Sequence, residues 1–196
     1  MNLSNSQKKI VSNVAWSLGG KAVNMASALF VGILVARYLG PESYGLMNYV
    51  ISYVAIFSII ATFGMDNIEI RELSRQNDKK YAIMGTCFCL RMFFATIAYI
   101  VIAISLFYFQ TDKFTSLMVL AYGLTLFTGT GNLLRNYFTS IVQNKYIVKS
   151  EMYRTFVGAG IKILLLWIKA PLEYFIYAQI FDTALVASGY SVSYTH

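Results

Sequence analysis

From Val11 to Ala36 the chain carries one charge, Lys21, in an otherwise uncharged stretch. A helix of that length rises roughly 40 Å, enough to cross the hydrocarbon core of a bilayer. Five further stretches repeat the pattern: Tyr44 to Met65, Ala82 to Phe109, Phe114 to Leu134, Tyr153 to Ala170 and Tyr174 to Val192. The last two are the weakest, being short and each bearing a charge. Backbone in lipid must satisfy its own hydrogen bonds, so the pattern predicts an all-α, polytopic membrane bundle of about six transmembrane helices. Composition agrees, because charged residues make up 13% of the chain, about half the share in a soluble domain.

Basic residues set the orientation. Lys8, Lys9, Arg71, Arg75, Lys79, Lys80, Arg135, Lys145, Lys149 and Arg154 fall on one side of the spans, against Arg37, Lys113 and Lys169 on the other. The positive-inside rule therefore places the N-terminus and the two longer connections, Asp66 to Tyr81 and Arg135 to Met152, in the cytoplasm. The domain expectation is a cytoplasmic segment 1–10, one six-helix lobe over 11–191, and a non-native tail over 192–196. Lys8-Lys9 followed by apolar sequence raises a signal peptide. Ser12, Asn13 and Ser17 interrupt its would-be core, and the apolar run continues past Ala28, against cleavage. The basic residues are scattered between spans rather than gathered on one polar face, which argues against a nucleic-acid partner and leaves membrane lipids as the surrounding phase. Cys87 and Cys89 are two apart on a helix and diverge, so neither a disulfide nor a metal site is expected, and the one histidine is the terminal His196. No cofactor is implied.

Three cations remain inside spans: Lys21, Arg91 and Lys162. A lone cation at mid-membrane costs about 2.5–3.5 kcal/mol on insertion scales, so each needs a partner, water or a function. Positions three or four apart share a helix face, and Asn13, Ser17, Lys21, Asn24 and Ala28 form one stripe expected to face the bundle interior or a watery cavity. Thr155, Ala159 and Lys162 align on the fifth span, while Gln179, Asp182 and Thr183 crowd one side of the sixth. Asp182 either neutralises Lys162 structurally or forms with it a proton-responsive pair. Arg91 is close enough to the cytoplasmic end of its span to snorkel. Gly19-Gly20 and Gly129-Thr130-Gly131 weaken helix continuity or allow close packing.

There is no Asp-x-Asp pair, no phosphate-binding glycine loop and no nucleophile elbow, so the residues point to binding rather than bond chemistry. The chain resembles the N-terminal half of bacterial polysaccharide flippases of the multidrug, oligosaccharidyl-lipid and polysaccharide exporter superfamily. The resemblance rests on Asn13 with Val35-Ala36-Arg37-Tyr38-Leu39-Gly40-Pro41-Glu42-Ser43-Tyr44-Gly45, on Phe63-Gly64-Met65-Asp66-Asn67 leading to Arg71-Glu72-Leu73-Ser74-Arg75, and on Tyr137-Phe138 through Asn144-Lys145-Tyr146.

That resemblance implies a two-lobed fold of twelve or more helices in the bacterial cytoplasmic membrane, with a cationic cavity and alternating access. It implies flipping of an undecaprenyl-pyrophosphate-linked oligosaccharide, an anionic lipid-linked sugar, for O-antigen or capsule assembly. Lys21, Asn24, Arg91 and Lys162 are then the candidate substrate-binding residues and Asp182 the ion-coupling residue. The chain is expected to be one lobe, whose partner is a missing C-terminal lobe. Rival readings are a cation-coupled multidrug exporter, a non-transporting membrane scaffold, and a membrane sugar polymerase.

Overall fold

The computed structural model describes the backbone of residues 5–109, 112–141 and 144–195, and the side chains of most residues between 18 and 185. All of the regular structure there is helical. Helix α1 (5–39) and helix α2 (41–62) meet at Gly40, whose φ of 71° and ψ of 173° are open only to glycine. Pro41 starts α2, where its fixed φ suits a first helical turn and its missing N–H costs nothing.

After α2, Phe63 and Gly64 both take positive φ and turn the chain into a short helix, α3 (Met65–Arg75). A 3-10 turn, Asn77–Lys79, leads to α4 (Lys80–Tyr108). Helix α5 (Lys113–Gly123) is capped by Asp112, whose carboxylate accepts the Thr115 backbone N–H at 2.9 Å. A helical turn, Thr125–Thr128, and a 3-10 turn, Gly129–Gly131, then carry the chain into α6 (Asn132–Ser140). Helices α7 (Asn144–Trp167) and α8 (Leu172–Thr195) close the bundle.

Contacts along the helices fix their directions. Gly20 and Asn24 of α1 meet Val148 and Thr155 of α7, and Tyr38 donates to the Ala170 carbonyl beyond the end of α7, so α1 and α7 run parallel. Val31 and Val35 also pack with Leu165 of α7 and with Phe175 and Ala178 of α8. Helix α2 packs instead on α4, α5 and α8, through a core of Val50, Val54, Ala98, Ile102, Met118, Val119 and Ile176. Ala95 and Ala98 are fully buried, and their small size brings the helices close, which is how helices associate where lipid is as apolar as the core.

Three stretches among the described residues are long and apolar enough to cross a membrane: Leu18–Thr62, Lys80–Tyr108 and Lys113–Ser140. The first contains α2 and most of α1. Large apolar side chains cover the outside, as lipid contact requires, and Tyr81 and Tyr108 stand exposed at the two ends of α4. They lie roughly 40 Å apart along the helix, which matches a bilayer with its interfacial belts.

The predicted loop at 135–152 is a correction. It is mostly the ends of α6 and α7, which continue as helix beyond their apolar portions because hydropathy marks lipid depth rather than helix length. The loop at 66–81 likewise contains α3. Asn13 and Ser17 and the tail at 192–196 have side chains outside the described residues.

Candidate functional site

Two groups of ionisable residues occupy the bundle. The first begins with Arg91, on the same stripe of α4 as Ala95, Ala98 and Ile102, and 2% exposed. Its Nε and Nη2 donate to the two oxygens of Glu69 at 2.7 and 2.8 Å, and Nη2 also reaches Asp66. Asn136 of α6 completes the group, its amide donating to Asp66 Oδ1 at 2.9 Å and to Glu69 Oε2 at 2.6 Å. Glu69 is inward because Met65, Glu69 and Leu73 are four apart on α3, and all three are buried. Burial works against ionisation of Asp66. The hydrogen bonds from Asn136 and Arg91 and the positive charges of Arg91 and Arg135 outweigh it, holding this carboxyl below its usual range.

The second group lies between α7 and α8. Lys162 Nζ donates to Asp182 Oδ2 at 3.1 Å, and Arg154 Nε stands 3.9 Å from Oδ1, beyond hydrogen-bond reach. Asp182 Oδ1 is buried and accepts no hydrogen bond from the described residues. Arg154, Gly158 and Lys162 are four apart on α7 and so share one face. Gly158 is required there, because a Cβ at that position would run into the Asp182 carboxylate.

A cavity of about 440 Å³ opens beside this pair. Asn24 and Ser27 of α1, Glu151, Arg154, Thr155 and Lys162 of α7, and Gln179 and Asp182 of α8 supply its polar lining. Asp182 is ten residues into α8, or about 15 Å along the helix axis from its start, deep within a membrane-sized bundle. Thr155 Oγ1 lies 2.6 Å from Asn24 Oδ1 and ties α1 to α7 across the cavity wall. The cavity lining holds two cations and two acids, and charge is felt more strongly there than in water.

Three of the expected site residues, Asn24, Lys162 and Asp182, therefore meet at one cavity. Arg91 sits apart, on the Glu69 carboxylate; it faces a separate cavity and does not snorkel. Lys21 is exposed, lines neither cavity, and has no hydrogen-bond or ion-pair partner among the described residues. The contact point of α1 on α7 is Gly20, 2.5 Å from Val148 for a Cβ placed there. Lys21 is about 100° further round the helix and turned off that contact, while Asn24 is only about 40° away. Arg154 and Glu151 were not anticipated at the site: Glu151 fell in the connection Arg135 to Met152, and Arg154, at the start of the fifth span, was counted among the cytoplasmic-side basic residues. The spacing of Arg154, Gly158 and Lys162 was the available signal.

Four residues of the motifs that carry the sequence resemblance have structural roles. Tyr38 anchors the α1–α2 corner through the Ala170 carbonyl and packs its ring 5.9 Å from Phe175. Gly40 and Pro41 make that corner, and Asp66 holds Arg91. No curated protein and no solved structure matches the chain. A family model described as polysaccharide biosynthesis protein matches residues 10–195, a span that takes in every helix described above from within α1 to the end of α8. The charged cavity thus sits in a membrane bundle of known kinship, and the chain belongs to the polysaccharide biosynthesis protein family.

Proposed function

We propose that this protein flips an anionic, undecaprenyl-pyrophosphate-linked oligosaccharide across the bacterial cytoplasmic membrane for surface polysaccharide assembly, by alternating access and without a covalent step. One observation carries the reading: Lys162 and Arg154 converge on Asp182 at the wall of a polar cavity inside a membrane bundle, and one oxygen of that acid accepts no hydrogen bond from the described residues. Fixed cations in such a place favour a pyrophosphate far more than the same charges in water would. Asp182 is the ion-coupling group. Its protonation frees Lys162 for the incoming anion, and departure of the anion restores the pair.

Asn24 adds a polar group to the cavity from α1, and Lys21 lies outside it on the exposed flank of the same helix. The exposed flank carrying Lys21 faces a second six-helix lobe, which completes the cavity. Arg91 lines a neighbouring cavity and contributes by keeping α3, α4 and α6 in register.

Complementation of a strain lacking its surface-polysaccharide flippase tests the proposal. Lys162→Met is expected to abolish surface polysaccharide and Lys21→Ala to reduce it, with membrane levels of the protein unchanged on immunoblots. Wild-type polysaccharide in the Lys162→Met strain overturns the binding role assigned to the cavity.

A further inference from the structure

A second cavity, of about 370 Å³, lies on the other side of Arg154, between α2, α4, α8 and the 3-10 segment that precedes α6. Its size is in the range of small-molecule sites. Arg154 lines both cavities. On α8 the neighbours Asp182 and Thr183 divide between them, Asp182 to the charged cavity and Thr183 to the second.

The second cavity differs in its hydrogen-bonding character. Six serine and threonine hydroxyls line it, those of Ser58, Thr62, Thr125, Thr128, Thr130 and Thr183. Each donates its proton to a backbone carbonyl three or four residues earlier in the chain: Thr125 to Tyr122 at 2.7 Å, Thr128 to Thr125 at 2.9 Å, Thr130 to Phe127 at 2.8 Å and Thr183 to Ile180 at 2.7 Å. Ser58 and Thr62 do the same on α2. A hydroxyl whose proton is committed retains acceptor lone pairs only. The lining is therefore rich in acceptors and asks its occupant for donors.

Charge narrows the occupant further. Arg91, at the cavity edge, is offset by Glu69 and Asp66, and no carboxylate lines the cavity. An anion would meet oxygen lone pairs, and a cation would meet Arg154. An uncharged, donor-rich molecule fits both limits. Ile51, Val54, Ala61 and Leu126 form an apolar wall, and Tyr122, 9% exposed, lines the same space. The Tyr122 hydroxyl and the Asn132 amide have no hydrogen-bond partner among the described residues, so each can both donate and accept. An apolar wall with an aromatic ring, opposite a hydroxyl-rich wall, complements a pyranose, which presents C–H groups on its faces and hydroxyls around its edge.

We infer that this second cavity is a subsite for one or two uncharged sugar units, adjoining the charged cavity that takes the phosphate of the same ligand, with Arg154 at the junction. The inference rests on the flippase reading above and adds to it where the sugar sits.

The test uses the purified chain in lipid nanodiscs and ligand-observed saturation-transfer NMR, with three probes: inorganic pyrophosphate, methyl hexosides and hexose 1-phosphates. The combined Thr125→Val and Thr130→Val variant is expected to weaken hexoside and hexose 1-phosphate binding by about tenfold or more, roughly one lost hydrogen bond each, and to leave pyrophosphate binding unchanged. The matching Thr→Ser variant keeps both hydroxyls and is expected to bind as wild type does, which separates loss of the acceptors from loss of fold. Lys162→Met is expected to do the reverse, losing pyrophosphate and retaining hexoside. Equal hexoside binding by wild type and the valine variant overturns the subsite, as does displacement of hexoside by sodium ions alone. If pyrophosphate fails to bind wild type while hexoside binding still depends on Thr125 and Thr130, the anion reading falls and the sugar subsite stands.

Discussion

Arg91 is buried and Lys162 half-buried in the membrane bundle, and their partners differ. Arg91 is held by two carboxylates. Its guanidinium takes Glu69 in a two-bond fork and Asp66 besides, and Asn136 bonds to oxygens of both carboxylates. Lys162 shares one oxygen of Asp182, the other oxygen is without a donor, and Arg154 stands 3.9 Å away beside a cavity. A cation bridging two carboxylates gains little by exchanging them. A pair with an acceptor left over already bears part of the desolvation cost and gains from a new partner. The first group ties α3, α4 and α6 together, and the second leaves an acceptor without a hydrogen bond beside a cavity.

The sharpest way to break this contrast is to remove one charge from each group. Arg91→Ala leaves Glu69 buried without its cation and is expected to lower stability by about 3–5 kcal/mol. Asp182→Asn removes the orphaned oxygen's charge as well as the ion pair, and is expected to cost only about 1 kcal/mol. Thermal unfolding of both variants in one detergent compares them directly, and equal losses would erase the distinction. An effect smaller than that of Arg91→Ala comes from Gly158→Ala, whose added Cβ must push Asp182 off its seat. A cost of about 1–3 kcal/mol is expected, falling toward zero when Asp182→Ala is combined with it. Additive losses in that double-mutant cycle would mean that Gly158 matters for another contact.

The smallest effect concerns pH. Asp66 has a folded pKa below its unfolded value of about 3.9, so its contribution is complete above that value and is lost as pH falls through the folded pKa. Melting temperatures between pH 6 and pH 3 are expected to fall more steeply for wild type than for Asp66→Asn. Parallel curves would assign the acid sensitivity to other carboxylates.

Helices, spans and the Lys162–Asp182 pair were legible in the sequence, because hydropathy and helical spacing act within a few turns of chain. The Arg91 group was not, since Glu69 and Asn136 come from α3 and α6 and hydropathy had assigned α3 to a charged loop. Met65, Glu69 and Leu73 at four-residue spacing was the trace it left. Lys21 shows the opposite limit. Periodicity gave its stripe a face, but which way the face points is decided by the Gly20 contact with Val148, a tertiary fact. Of Gly129-Thr130-Gly131, close packing was the blander expectation. A Cβ on Gly129 would meet nothing within 4 Å, and the segment instead winds as a 3-10 turn.

That turn couples winding to heading. A residue wound 3-10 advances about 20° further around the axis than one wound α, and climbs about 0.5 Å more. Rewinding Gly129–Gly131 as α would rotate all of α6 by about 60° against α5 and draw it up by about 1.5 Å. Asn136, one turn into α6, would swing out of reach of Glu69 and Asp66. The amide bonds at Asn136 therefore act as a pawl on the pitch of the helix above them: while they are engaged, α6 can hold only one heading.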